Sequence, residues 1–346
     1  MPLRSSEANS LLPLFEAISN SLHAIQEKFG ENQKISDFGE IIIRILRDNT
    51  SSENEIGQII GFEITDNGIG LTDKNYKSFL TPFSRLKITR GGKGVGRLGW
   101  LKVFENITVY SLYEQNGSIG SRKFRFILRE TDQIDPVEVT SSDRKDYGTV
   151  VHLENFKGSF ASKCPVNAYT IAQRIIAHFL PIFAGDSSPI ITLIDDATID
   201  LKKEFLSKIV RSSEEIIDIN LDGENIPFLI RHMQCDKSIR PRGRNHNWLC
   251  FCADERGVRE FPIDEQLGLK LLEGGEIYVG TVTSNFLNGH VNPQRTDFTF
   301  DPEDGKEIRR RVAASVRAFL SKYIEESLAR KRQITKNIIQ KNPQYL

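Results

Sequence analysis

Glu16 and Asn20 stand four residues apart, and His23 follows three residues later. On a helix that spacing stacks the three side chains along one face. A carboxylate there can hold a water and take its proton. An amide oxygen one turn on suits Mg²⁺, which takes few protein oxygens beside phosphates and water. Further along runs Asp66-Asn67-Gly68-Ile69-Gly70. A carboxylate at a strand end can accept a hydrogen bond from an exocyclic amine such as that of adenine, and Gly68 and Gly70 would let the backbone pass beneath a ring without a Cβ clash. Last comes Gly91-Gly92-Lys93-Gly94-Val95-Gly96-Arg97-Leu98-Gly99 at the opening of a helical stretch. Successive N–H groups at such a turn, with the positive end of a helix, cradle phosphate, and Lys93 and Arg97 add charge.

Alone, each segment has an ordinary reading: two polar residues on a solvated helix face, an Asp-Asn-Gly turn, a surface loop. Together and in this order they describe one nucleotide pocket. The glycine cluster matches neither the P-loop spacing nor a Rossmann context, since no parallel βαβ unit surrounds it.

The elements that must position these residues are legible from periodicity. Leu11, Leu14, Phe15, Ile18, Leu22 and Ile25 recur at helical spacing, and Pro13 is expected in the first helical turn. Residues 40–46 and 58–65 read as antiparallel strands, the second ending at Asp66. A short helix spans 71–80, a basic glycine-containing loop spans 82–94 as a lid, and helix resumes over 95–104. Residues 106–112, 122–129 and 148–154 alternate like strands. The whole reads as an α+β sandwich with helices on one face of a sheet.

A helix over 166–179 and the loop 181–189 lead out of this region. The second half is β-rich, with hairpins expected at Asp222-Gly223 and around Arg256-Gly257. The chain closes on one long helix carrying Ile308, Val312, Val316, Leu320, Ile324 and Leu328 every four residues, then a basic tail. The expected domains are 1–185, 186–302 and 303–346.

Lys plus Arg equals Asp plus Glu at 46 each, so no net charge draws the chain to nucleic acid or a membrane. No apolar run approaches the roughly 20 residues of a bilayer span, and no secretory pattern opens the chain. Cys164, Cys235, Cys250 and Cys252 lack paired metal spacing and read as reduced core residues. A cytoplasmic protein without membrane contact is expected.

The ordered set resembles the GHKL superfamily, which includes gyrase-type topoisomerases, the large heat-shock chaperone, histidine kinases and MutL. Phe15-Glu16-Ala17-Ile18-Ser19-Asn20-Ser21 is similar to the first family motif, and Ile64-Thr65-Asp66-Asn67-Gly68-Ile69-Gly70-Leu71 to the second. Lys93-Gly94-Val95-Gly96-Arg97-Leu98-Gly99 is similar to the lid motif. Tyr147-Gly148-Thr149-Val150-Val151 resembles the later strand whose threonine supports the adenine-binding aspartate. One departure is His23, where many members carry Asp; packing, hydrogen bonding or titration near neutrality are all open to it.

The resemblance implies the Bergerat sandwich on a mixed sheet, followed by a transducer-like domain. It implies an ATPase with ATP and Mg²⁺ as ligands: Glu16 as base, Asn20 on the metal, Asp66 on adenine. Arg295, with Gln294 beside it, is the candidate for a basic residue placed against the γ-phosphate in clamp-type relatives. An ATP-dependent homodimer is implied, with DNA or a protein as the unidentified client. A nucleotide-regulated scaffold with negligible hydrolysis is the alternative. A histidine-type kinase is disfavoured, because only a few residues precede the first motif. The chain reads as either a compact module or a fragment continuing beyond Leu346.

Overall fold

Helix α1 (Glu7–Phe29) begins where Ser6 caps it: the Ser6 Oγ accepts the Asn9 N–H at 3.2 Å, and the Ser6 carbonyl accepts the Ser10 N–H at 2.9 Å. Pro13 therefore lies inside the helix, not in its first turn as expected. An interior proline costs about 3 kcal/mol. Burial of Leu11, Leu14, Ile18 and Ile25, each worth about 1.5–3 kcal/mol, outweighs it. The helix stops at Gly30, whose φ of 72° turns the chain and whose N–H reaches the Gln26 carbonyl.

The computed structural model describes the chain except residues 1–3, 31, 49–56, 81–97, 116, 128–133, 137–146, 186, 241–246, 254–255, 269–271, 273–274, 293–296 and 342–346. The expected lid, with Lys93, Gly94, Val95, Gly96 and Arg97, lies outside the described residues, as do Gln294 and Arg295. The chain forms two compact units, Met1–Leu206 and Ser207–Leu346.

The first unit is built on an eight-stranded sheet. Its chain order is α1, α2 (Asn32–Phe38), β1 (Glu40–Arg47), β2 (Ile59–Asp66), α3 (Asp73–Leu80), α4 (Leu98–Val103), β3 (Phe104–Gln115), β4 (Ser118–Phe126), β5 (Ile134–Pro136), β6 (Gly148–Phe156), α5 (Ala168–His178), α6 (Leu180–Ala184), β7 (Ile190–Ile194), β8 (Thr198–Asp200) and α7 (Leu201–Ser207). The strand order is β5-β4-β3-β6-β2-β1-β7-β8. Every neighbour is antiparallel except β1 with β7, which makes the sheet mixed. β1 and β2 pair as expected, with Ile41 opposite Asp66.

Helix α1 lies over β2 and β6 and packs on α4. Its N-terminus is tied to α5 by Glu7 and Arg174 at 2.8 Å, and Phe15 stacks on His178. The α+β sandwich read from the pattern is the observed architecture. The residues after 189 pair as β7 and β8 within this same sheet.

The second unit holds a five-stranded sheet in the order β12-β11-β13-β10-β9. Its elements are β9 (Ile209–Leu221), β10 (Glu224–Cys235), β11 (Trp248–Ala253), β12 (Arg256–Pro262), α8 (Asp264–Leu267), β13 (Ile277–Thr283), α9 (Asn285–Gly289), α10 (Pro302–Phe319) and α11 (Ser321–Lys341). Asp222 and Gly223 both have positive φ, 50° and 85°, as a two-residue hairpin loop requires.

Two expectations here need correction. Arg256 and Gly257 lie within β12, opposite Ala253 and Cys252, and so are strand residues and not the hairpin's turn. A register shift between Phe251 and Cys252 absorbs the offset. The closing helix is two helices. Leu320, fully buried, caps α10 with φ −97° and ψ 10°. The break there lets Tyr323 and Ile324 of α11 stay against the core formed by Ile308, Val312 and Val316 with the sheet. Leu328, next in the four-residue series, is 46% exposed.

Candidate functional site

Asp66 is the last residue of β2 and only 4% exposed. Burying a carboxylate requires donors. Ser21 of α1 donates its hydroxyl to Oδ2 at 2.9 Å, and the Gly68 N–H donates to Oδ1 at 2.9 Å. The loop that follows is pinned by Asn67. Its Oδ1 accepts the Glu40 N–H at 2.9 Å, its Nδ2 donates to the Phe38 carbonyl at 2.7 Å, and its own carbonyl accepts Lys28 Nζ at 2.6 Å.

The two glycines are required by the protein itself. A Cβ on Gly68 would lie 2.6 Å from the Ala24 Cβ and 2.7 Å from the Ala24 carbonyl carbon. At Gly70 φ is +76°, and a Cβ would meet the Leu112 carbonyl oxygen at 2.3 Å. Crowding by α1 at Gly68 and by β3 at Gly70 therefore excludes a side chain at either position before any ligand is considered.

Thr149 of β6 faces Asp66 on one side of the ladder and Ser111 of β3 on the other. The two hydroxyls are 3.2 Å apart, Ser111 Oγ accepts the Leu71 N–H at 2.8 Å, and the Gly148 carbonyl lies 3.1 Å from that Oγ.

These side chains surround a cavity of about 310 Å³. Asn20, Ser21, His23, Asp66 and Thr149 supply polar wall. Val109, Val151, Phe79 and Trp100 supply apolar wall. Glu27 of α1 and Lys74 and Asn75 of α3 complete the lining, and Asn75 Nδ2 donates to Glu27 at 3.3 Å. Trp100 is held in place by its Nε1–H, which donates to the Pro13 carbonyl at 3.0 Å.

Of the sequence candidates, the fold brings Asn20, His23, Asp66, Gly70 and Thr149 to one cavity, and Gly68 donates its N–H to Asp66. Leu98 and Gly99 open α4, two residues and one residue before Trp100. Glu16, half-buried one turn before Asn20, is not among the described lining residues. Among the described residues no three His, Cys, Asp or Glu side chains converge as a metal cage. The single amide oxygen of Asn20 fits a hard cation carried in largely by phosphates and water.

Sequence reading gave no role to Ser21 or Ser111. Ser21 sat beside Asn20 in the first motif and was open to recognition. Ser111 was not, because its partners are 37 to 40 residues away in sequence.

No protein-family model and no curated protein matches this sequence. Among solved structures, the N-terminal domain of a DNA repair protein aligns over 93% of this chain and 98% of its own, at 12% identity and a TM-score of 0.51. The chain has the GHKL fold. The ATPase region of Saccharomyces cerevisiae topoisomerase II aligns over 91% of this chain and 85% of its own, at 12% identity and a TM-score of 0.45. The 43K ATPase domain of Thermus thermophilus gyrase B aligns over 96% and 92%, at 12% identity and a TM-score of 0.39. Within the GHKL fold of this chain, the first motif lies on α1, the second on the end of β2 and the turn leaving it, and Thr149 on β6, the strand next to β2. No helix among the described residues is long and apolar enough to cross a membrane.

Proposed function

We propose that this chain binds Mg·ATP in the cavity beside Asp66 and hydrolyses it, acting as an ATP-gated dimeric clamp. The observation carrying this reading is a carboxylate buried at the cavity wall, both oxygens already held by donors, with an amide on the same wall. Asp66 accepts the adenine amine, and Thr149 lies next to it. Asn20 would hold Mg²⁺, which when bound neutralises charge on the phosphates. Glu16, one turn along α1, orients the attacking water and takes its proton. Lys93, Gly94, Val95, Gly96, Arg97, Leu98 and Gly99 wrap the phosphates. Arg295 and Gln294 sense the γ-phosphate, whose loss on hydrolysis reopens the clamp.

The division into a nucleotide-binding part and a transducer-like part is supported by the two compact units. The client is DNA or a protein. A DNA repair protein among the structures with this fold makes DNA worth testing first. One observation favours the second reading, a nucleotide-regulated scaffold: Glu16 is not among the described residues lining the cavity.

Phosphate release from Mg·ATP, followed at rising protein concentration with Glu16→Ala alongside, separates the two readings. The clamp predicts a per-protomer rate that climbs with concentration and falls about 10²-fold or more in the variant. Equal release by both proteins would leave the scaffold standing.

A further inference from the structure

The base end of the cavity is surrounded by donors that are already committed to the protein. The Gly68 N–H and the Ser21 hydroxyl both go to Asp66. The Ile69 N–H goes to the Ala24 carbonyl at 3.1 Å, and the Leu71 N–H goes to Ser111. Among these described groups beside Asp66, the direction of the Thr149 hydroxyl is the one left open by its own contacts.

Ser111 closes that question by proton counting. Its hydroxyl is fully buried and meets three groups. The Leu71 N–H can only donate to it, and the Gly148 carbonyl can only accept from it. Were the Ser111 proton turned to Thr149 instead, two oxygens would face each other at 3.1 Å with no hydrogen between them. The Ser111 proton therefore goes to the Gly148 carbonyl, and Thr149 donates to Ser111 across 3.2 Å. That leaves the Thr149 oxygen able only to accept toward the cavity, beside a carboxylate that also only accepts.

We propose that Ser111 is a specificity-determining residue. By fixing the Thr149 proton away from the cavity, it makes the wall beside Asp66 select a base with an exocyclic amine and reject one with a carbonyl oxygen there. The inference rests on the nucleotide reading of the cavity. Ser111 acts only through Thr149 and touches no ligand, so it is a positioning residue.

The test is equilibrium binding of ATP and of inosine triphosphate, which carries a carbonyl oxygen where adenine carries its amine. Wild type should prefer ATP by at least about tenfold, and Ser111→Ala should narrow that preference about five- to tenfold, the factor of one neutral hydrogen bond. The narrowing should come from tighter inosine triphosphate binding, as the released Thr149 hydroxyl turns to donate. Thr149→Val should narrow the preference as well, and adding Ser111→Ala to it should change the ratio no further. Ser111→Cys, close in size and a weak acceptor, replaces Ser111→Ala if the latter does not fold.

Equal weakening of both nucleotides, an unchanged ratio, or a Ser111 effect that persists in the Thr149→Val background would overturn the proposal. Asp66→Asn separates this from the underlying reading. If that variant loses ATP while the Ser111 variants keep the wild-type ratio, only the role of Ser111 fails. If wild type binds neither nucleotide, or Asp66→Asn binds ATP unchanged, the nucleotide reading fails and takes this proposal with it.

Discussion

Around Asp66 the same residues that build the turn also face the cavity, so local strain and ligand recognition are hard to separate by mutation. Gly70 is the sharpest case. Its positive φ strains any L side chain, and the atom a Cβ would strike is a backbone carbonyl of β3, which cannot swing away. Gly70→Ala should lower stability by about 1–3 kcal/mol, read as a drop in denaturation midpoint. An unchanged midpoint would mean that the β2–α3 turn adopts another path. Asp66, Gly68 and Gly70 were legible in sequence because short-range turn chemistry puts them within five consecutive residues. Ser111 was invisible for the opposite reason: its role depends on strand register, with Ser111 paired to Thr149 across β3 and β6.

Elements place these residues through their ends. α1 carries Asn20, Ser21 and His23 along one face, and its start is set by the Ser6 cap. Ser6→Ala should cost about 1 kcal/mol, measured by chemical denaturation, with no change in the m-value. A loss well below that would show the packing of Leu11 and Leu14 holding the first turn unaided. Reading Pro13 as a helix start followed a sound local rule, yet tertiary burial of the preceding turn overrode it. The Asp222-Gly223 hairpin was legible because both loop residues suit positive φ. The break at Leu320 was not, since a four-residue apolar series continues through it without any glycine or proline. Only the three-dimensional core decides that Leu320 is buried while Leu328 is exposed.

At the scale of the whole molecule, the second unit carries its own pH dependence. His232 is 1% exposed, its Nδ1 lies 2.8 Å from the Tyr278 hydroxyl, and its Nε2 lies 3.0 Å from Ser315 Oγ. Burial lowers its pKa below the ordinary value of 6.5; Glu215 opposes that shift and Arg211 adds to it. On acidification the unfolded chain therefore takes up the proton at this position before the folded state does. Stability is full above pH 6.5 and declines as pH falls below it, because there the unfolded state binds more protons. Denaturation midpoints between pH 7.5 and about 5.5 should fall for wild type and fall less steeply for His232→Gln. Parallel curves would show that other groups govern the acid limb.

The central claim is that ATP occupies the cavity beside Asp66, and direct binding tests it. Trp100 lines that cavity and is one of two tryptophans, so Trp248→Phe leaves it as the sole tryptophan, read by excitation at a wavelength that tyrosine does not absorb. Titration of Mg·ATP should give a saturable change in Trp100 emission, and Asp66→Asn should weaken the apparent affinity about 10- to 100-fold, the range for losing a hydrogen bond to a charged acceptor. Saturable binding with the same affinity in both proteins, or none in either, would contradict the account.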